Sequence, residues 1–151
     1  FVKAFKKRWY VVAYSPGTDD VRCYAFDRIE RVIISDKVFK MPKNLEPADY
    51  FKDCFGIINN KNSEVQKVVL KVDAFQSNYI RNLPLHESQK EAERTEEYSI
   101  FEYHLKPEFD FEQEIFFNMD TMEVLEPQWL REEVSERLRN LAKKYKICPS
   151  S

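Results

Sequence analysis

The chain has 151 residues, 43% hydrophobic and 33% charged, with a formal net charge of −2. Such a composition builds one ordinary globular domain or two small ones and excludes a disordered chain. Two glycines, Gly17 and Gly56, cannot write a P-loop or a GxGxxG loop, and no apolar run reaches the roughly 18–20 residues of a membrane span.

The first elements read as strands. "RWYVVAY" (8–14) and "VRCYAFDRIERVII" (21–34) are rich in β-branched and aromatic residues. Between them "SPGTDD" is a cluster of turn formers around Pro16-Gly17, so the three pieces predict a β-hairpin. "DKVFKM" (36–41) predicts a third short strand. "EPADYFKDCFG" (46–56) predicts a short helix, with Pro47 at its start and Gly56 as its C-cap.

The polar stretch that begins at "NNKNSE" (59–64) marks a domain boundary. The expected organisation is a first domain over 1–58, a linker over 59–66 and a second domain over 67–151. Charge divides at the same place. The first 58 residues hold 11 Lys and Arg against 8 Asp and Glu, and the remainder hold 13 against 18, which suggests different partners for the two regions.

Beyond the boundary, "VQKVVLKVD" predicts a strand and "AFQSNYIRNLP" a helix stopped by Pro84. "SQKEAERTEEYSIFEYHLKP" predicts two strands meeting near "RTEE", "EFDFEQEIFFNM" a helix and "MEVLEP" a strand. The order β-α-β-β-α-β is that of a ferredoxin-like sandwich. In the tail, Leu130, Val134, Leu138, Leu141 and Tyr145 form one apolar stripe of a long helix, with Glu133 and Arg137 as an i,i+4 pair. The fold class is therefore α+β. The apolar and aromatic residues of the second half, among them Phe101, Tyr103, Phe116 and Phe117, suggest a surface that only the last helix or a partner can cover, and hence a homodimer.

Candidate chemistry concentrates in the hairpin. Alternate strand residues share a face, which groups Arg8, Tyr10, Val12 and Tyr14 on the first strand and Arg22, Tyr24, Phe26 and Arg28 on the second. Guanidinium forks hold phosphate, and phenol rings stack on bases. Arg8, Tyr10, Arg22, Tyr24 and Arg28 are thus candidates for binding a nucleotide or a nucleic acid, although such a face also serves solubility alone; Trp9 is expected in the core. Enzyme chemistry has little support. Glu112 and Glu114, two residues apart on a helix, point to different faces, and His86 and His104 have no nucleophile pattern beside them. Cys23, Cys54 and Cys148 are widely spaced, with no CxxC among them, and read as reduced cytosolic thiols. Neither a metal nor a cofactor is expected.

At "RWYVVAY…VRCYAFDRI" the chain resembles the WYL domain family, bacterial transcriptional regulators named for a Trp-Tyr-Leu triplet that stands here as Trp9-Tyr10-Val11. "DYFKDCFGI" resembles the segment that closes that domain. "VVLKVD", "LPLHESQ" and "MEVLEPQWLREEVSERLRNLAKKY" resemble the C-terminal extension called WCX. The resemblance implies a Sm-like or SH3-like β-barrel that senses a ligand, in some members single-stranded nucleic acid or a nucleotide, through positions matching Arg8, Tyr10, Arg22 and Arg28. Many relatives carry Arg where this chain has Ala25. The resemblance further implies a cytoplasmic regulator that reads operator DNA through a winged helix-turn-helix not found in these residues. The barrel is expected to be incomplete, since fewer than five strands are legible before residue 58. Its alternative role is that of an assembly module, which dimerises the regulator without binding a ligand.

Overall fold

The computed structural model describes residues 1–15, 17–18, 20–38 and 46–147. Pro16, residues 39–41 of the expected third strand, and Cys148 lie outside the described residues. Among the described residues, two antiparallel sheets and four helices make up an α+β architecture.

The first sheet has the order β1 (Val2–Phe5), β2 (Arg8–Ser15), β3 (Asp20–Ala25). β1 was not expected. It pairs Phe5 with Arg8 across a two-residue turn, in which Lys6 and Lys7 have φ of 44° and 65°. Turns of this kind are usually signalled by Asn-Gly; two lysines conceal it. Val12 packs with Phe51 and Cys54 on one side of this sheet, flanked by Phe1, Val21, Cys23 and Tyr50. Phe51 closes α1 (Pro47–Phe51).

The second expected strand is shorter than its composition suggests. β3 ends at Ala25, a 3-10 turn takes residues Phe26–Arg28, and residues 29–38 form no strand. Ile34 and Val38 are 95% and 94% exposed. β-branched residues favour strands only where a neighbouring strand supplies hydrogen bonds and a packing surface, and after Ala25 none of the described residues does so.

The second sheet contains β4 (Gln66–Asp73), β5 (Lys90–Arg94), β6 (Tyr98–Leu105) and β7 (Met122–Glu126), in the order β5-β6-β4-β7 with antiparallel neighbours. α2 (Ala74–Asn82) follows β4, α3 (Phe109–Phe117) follows β6, and α4 (Gln128–Lys144) follows β7. Asp73 caps α2 by accepting from the Gln76 N–H at 2.7 Å. Val68, Leu70 and Val72 alternate on one face of β4, and Phe101, Tyr103 and Leu105 on the same face of β6. They form the main core with Ile80, Phe111, Ile115, Leu130 and Val134 from the helices.

The opposite face of this sheet corrects the argument from an uncovered apolar surface. It carries Lys67 paired to Glu102 at 3.0 Å and Lys71 lying 4.2 Å above the Tyr98 ring, so water can face it. Phe116 and Phe117 belong to α3, not to the sheet. The α4 stripe is buried only in its first half: Leu130 and Val134 are core, whereas Tyr145 is 72% exposed. The Glu133–Arg137 pair forms at 2.9 Å, and Arg137 also reaches Glu112 at 3.0 Å.

Gly56 is not a helix cap. α1 ends at Phe51, and neither glycine has a positive φ. Its bare Cα serves close approach: a Cβ there would collide with the Asp110 carboxylate and come within 2.6 Å of Phe5 Cζ. Asp110, buried on α3, accepts from the N–H groups of Ile57 and Ile58 at 2.8 and 3.2 Å. Edge-to-face rings continue the seam from Phe5 to Phe55 to Phe111 to Tyr103, with centroids 5.4–6.0 Å apart. Lys106 N–H donates to Asp53 O at 2.8 Å. The two sheets are thus locked together just ahead of the polar stretch that suggested a boundary.

Candidate nucleic-acid interface

The register of the first sheet decides which candidates can act together. Directly opposed residues of an antiparallel pair project to the same side. Tyr10 opposes Ala25, Val11 opposes Tyr24, Val12 opposes Cys23 and Ala13 opposes Arg22. Arg8 and Tyr10 therefore share the side of buried Val12, and Arg22 and Tyr24 share the other side with Trp9 and Val11. The structure does not bring the five sequence candidates onto one face.

Their environments differ accordingly. Arg8 Nη2 pairs with Asp27 at 3.1 Å, so part of its charge is already matched. Tyr10 is half-buried beside Lys3. Arg28 is exposed in the 3-10 turn after β3, at the end of the sheet where β2 begins. On the outer side, Trp9 is 57% and Tyr24 43% exposed. Trp9 opposes Ala4 and stands diagonally from Tyr24 across Val11, within reach for long aromatic side chains. Arg22 is exposed two residues along β3, and Asp20 on the same side is taken by Lys61.

Trp9 is thus the residue that the sequence reading misplaced. Its bulk suggested core, but strand parity was the better signal: once Val12 is inward, Trp9 must be outward. The outer side, with two aromatic rings, a guanidinium and small or apolar residues between, can stack flat rings and pair with a phosphate. It holds no acid–base pair.

The "LPLHESQ" turn behaves as a brace. His86 Nδ1 lies 2.8 Å from Ser88 Oγ and accepts from the Ser88 N–H at 3.2 Å. Ser88 Oγ accepts from His104 N–H at 2.8 Å. Gln89 Oε1 accepts from Leu85 N–H at 3.0 Å and from the Tyr103 hydroxyl at 3.1 Å, and Gln89 Nε2 donates to Ile80 O at 2.9 Å. The turn is pinned to α2 and β6 in this way. Because Nδ1 accepts a backbone N–H, the neutral ring carries its proton on Nε2, which is buried with no acceptor among the described residues.

A Ser or Cys beside His86 would be the minimum for nucleophilic catalysis. Ser88 and His86 do touch, but Nε2 has no carboxylate to orient the ring. Cys54 lines the same cleft of about 510 Å³ as His86, and burial pushes its thiol up to about 11, so it is protonated at neutral pH. Burial likewise raises the Cys23 thiol. Glu112 and Glu114 do point apart: Glu112 meets Arg137, and Glu114 meets Lys6 at 2.8 Å. Burial raises the Glu112 carboxyl. Among the described residues, no three His, Cys, Asp or Glu gather to hold a metal ion, and no helix is long and apolar enough to cross a membrane.

Residues 2–34 match the family model of the WYL domain, and residues 64–142 match that of the WCX domain. No curated protein matches the chain. The two matches meet the two sheets one to one: the first spans β1 to β3, and the second spans β4 to nearly the end of α4.

Proposed function

We infer a sensing role from one premise: the chain belongs to the WYL-domain regulators and carries a WCX domain as its second half. These are regulatory domains rather than enzyme families. The chain is read as the ligand-sensing region of a bacterial, cytoplasmic transcriptional regulator that meets operator DNA through a separate helix-turn-helix domain. Its ligand is a nucleotide or a short single-stranded nucleic acid. The observation that carries this reading is the outer side of the first sheet, where Trp9 and Tyr24 are exposed beside Arg22. Base stacking on aromatic rings beside a cation is how single strands are held without a sequence code.

In this reading Arg28 adds charge at the end of the sheet, while Arg8 and Tyr10, on the packed side, position the turn rather than touch the ligand. The three described strands, in the order β1-β2-β3, are read as belonging to a Sm-like or SH3-like barrel. The β5-β6-β4-β7 order, with α2, α3 and α4 packed on the apolar face, supports a ferredoxin-like second domain carrying a C-terminal helix.

The test is titration of the chain with a short labelled single-stranded DNA. Binding should weaken with salt as phosphate contacts release counterions. Trp9→Ala and Tyr24→Ala should each cost ~1–3 kcal/mol if a base stacks there. Arg22→Glu should weaken binding and flatten the salt dependence, whereas Arg8→Ala should change little. Trp9 emission should quench on binding, while Trp129, tied to Gln66 at 2.7 Å, should not respond. Equal, salt-insensitive affinity of wild type and all three outer-side variants would remove this reading.

A second reading, an assembly module that dimerises the regulator, has its own observation: α2 turns an aromatic stripe to solvent.

A further inference from the structure

The cleft of about 510 Å³ that holds Cys54 and His86 lies where the two halves of the chain meet. Lys3 of β1, Phe51 and Lys52 at the end of α1, and Phe55 form one wall. Leu85 and His86, from the turn over residues 83–89, form the other. Lys3 opposes Tyr10 in the sheet register, so it stands on the packed side with Val12, away from Trp9 and Tyr24. The cleft is therefore separate from the outer side of the first sheet.

Two observations mark this cleft as a site. The first is its unmatched positive charge. Neither Lys3 nor Lys52 has an ion pair among the described residues, and Lys3 Nζ lies 4.3 Å from the centre of the Phe51 ring. Exposed Glu87 is the one acid of the described lining; Asp49 and Asp53, near by in sequence, do not line it. The second observation is His86, which is 9% exposed. Ser88 holds its Nδ1, so Nε2–H lies on the far side of the ring, away from the brace, with no acceptor among the described residues. A buried N–H is rarely left unpaired, because its lost bond to water goes unreplaced. Two free cations and an orphaned donor make a wall that lacks acceptors, set against an apolar floor.

We propose that this cleft binds a small organic acid with an apolar body. Its carboxylate lies between Lys3 and Lys52 and accepts from His86 Nε2–H, and its body rests against Phe51, Phe55 and Leu85. Neighbouring side chains cover Nε2, so this bond forms with the side-chain adjustment that is common on binding. The volume is that of a small-molecule site. A ligand rich in phosphate would need more charge than two lysines facing Glu87. A neutral apolar ligand would leave both cations and the donor unmatched. A single carboxylate on a ring or short chain meets both requirements. Because the walls come from both halves of the chain, such a ligand bridges the two sheets and strengthens their seam.

The experiment is titration of the whole 151-residue chain with phenylacetate, followed by amide and imidazole NMR, with 2-phenylethanol and inorganic phosphate as controls. Phenylacetate should bind saturably at about millimolar concentration, as expected for a ligand of about ten non-hydrogen atoms. The His86 Nε2–H resonance should move downfield and the amides of Lys3, Phe51 and Leu85 should shift, while the Trp9 indole should not. 2-Phenylethanol, which lacks the charge, and phosphate, which lacks the body, should each bind at least about tenfold more weakly. Lys52→Glu should weaken phenylacetate binding by about tenfold or more, since it sets like charges together, and should leave melting unchanged, as Lys52 is exposed. Trp9→Ala should leave this binding as it is. Phosphate binding as tightly as phenylacetate would overturn the ligand class. Shifts confined to residues outside the cleft, or an unmoved His86 resonance at saturation, would overturn the site. No saturable binding by about 20 mM would overturn both. None of these outcomes touches the outer-side reading, whose probe is single-stranded DNA.

Discussion

The two sheets of this protein are built from similar residues and stabilised in different ways. The four-stranded sheet carries its own core, with Val68, Leu70, Val72, Phe101, Tyr103 and Leu105 roofed by residues from α2, α3 and α4. The three-stranded sheet has a small cluster around Val12, Phe51 and Cys54 and leaves Trp9 and Tyr24 in solvent. Its remaining support comes from its neighbour, through Phe5, Phe55 and Phe111 and through the Asp110 carboxylate. One region is a self-sufficient scaffold; the other is a surface held against it. The proposed sensing role fits that division, because the exposed rings of the first sheet do not have to hold the fold together.

Breaking the seam should produce the largest effect. Gly56→Ala places a methyl group against the Asp110 carboxylate and the Phe5 ring, and overpacking of this kind costs ~1–3 kcal/mol. Hydrogen exchange should show β1 to β3 losing protection while β4, β6 and β7 keep theirs. Equal loss in both sheets would mean that the two regions unfold as one unit.

A smaller effect should touch only the scaffold. The Arg81 guanidinium beside Glu91, with help from Ser99, holds that carboxyl at about 2, against an ordinary value of 4.5. A depressed carboxylate contributes stability that is fully present above the unfolded value and is lost as pH falls toward the folded one. Melting temperature should therefore fall between pH 4.5 and 2. Glu91→Gln should remove that part of the slope and cost about 1–2 kcal/mol at neutral pH, as expected for a partly exposed bidentate pair.

The smallest effect should touch only the surface region, and it should stabilise. Lys7 holds a φ of 65° in the β1–β2 turn, a conformation that costs an L-residue roughly 1 kcal/mol and glycine almost nothing. Lys7→Gly should raise stability by about 0.5–1 kcal/mol, read as slower exchange in β1 and β2 with β4 to β7 unchanged. Together the three variants measure how independent the two sheets are.

Most of the second half was legible from residue order, since its strands are short runs between clear breakers and its last helix carries a stripe of period 3.6. Asp73 ahead of α2, Pro84 after it and "RTEE" between β5 and β6 punctuate the chain locally. The first half was less legible for the same physical reason turned round. β1 hid behind a turn made of two lysines, and "RIERVII" advertised a strand that has no described neighbour to pair with.

For the candidate site, the sequence by itself supplied the residue types, and strand alternation supplied which residues of one strand share a side. It could not relate the sides of two strands, because the pairing register depends on turn length and on which face finds a core. Only the tertiary structure set Tyr24 opposite Val11 and so moved Arg22 and Tyr24 to the side of Trp9, away from Arg8 and Tyr10. It also gave Gly56 its reason, a carboxylate from 54 residues further along the chain, and turned the aromatic stripe of α2 to solvent. Local pattern decides what a segment can become; which of its faces meets protein, and which meets water, is decided by the packing of elements far apart in sequence.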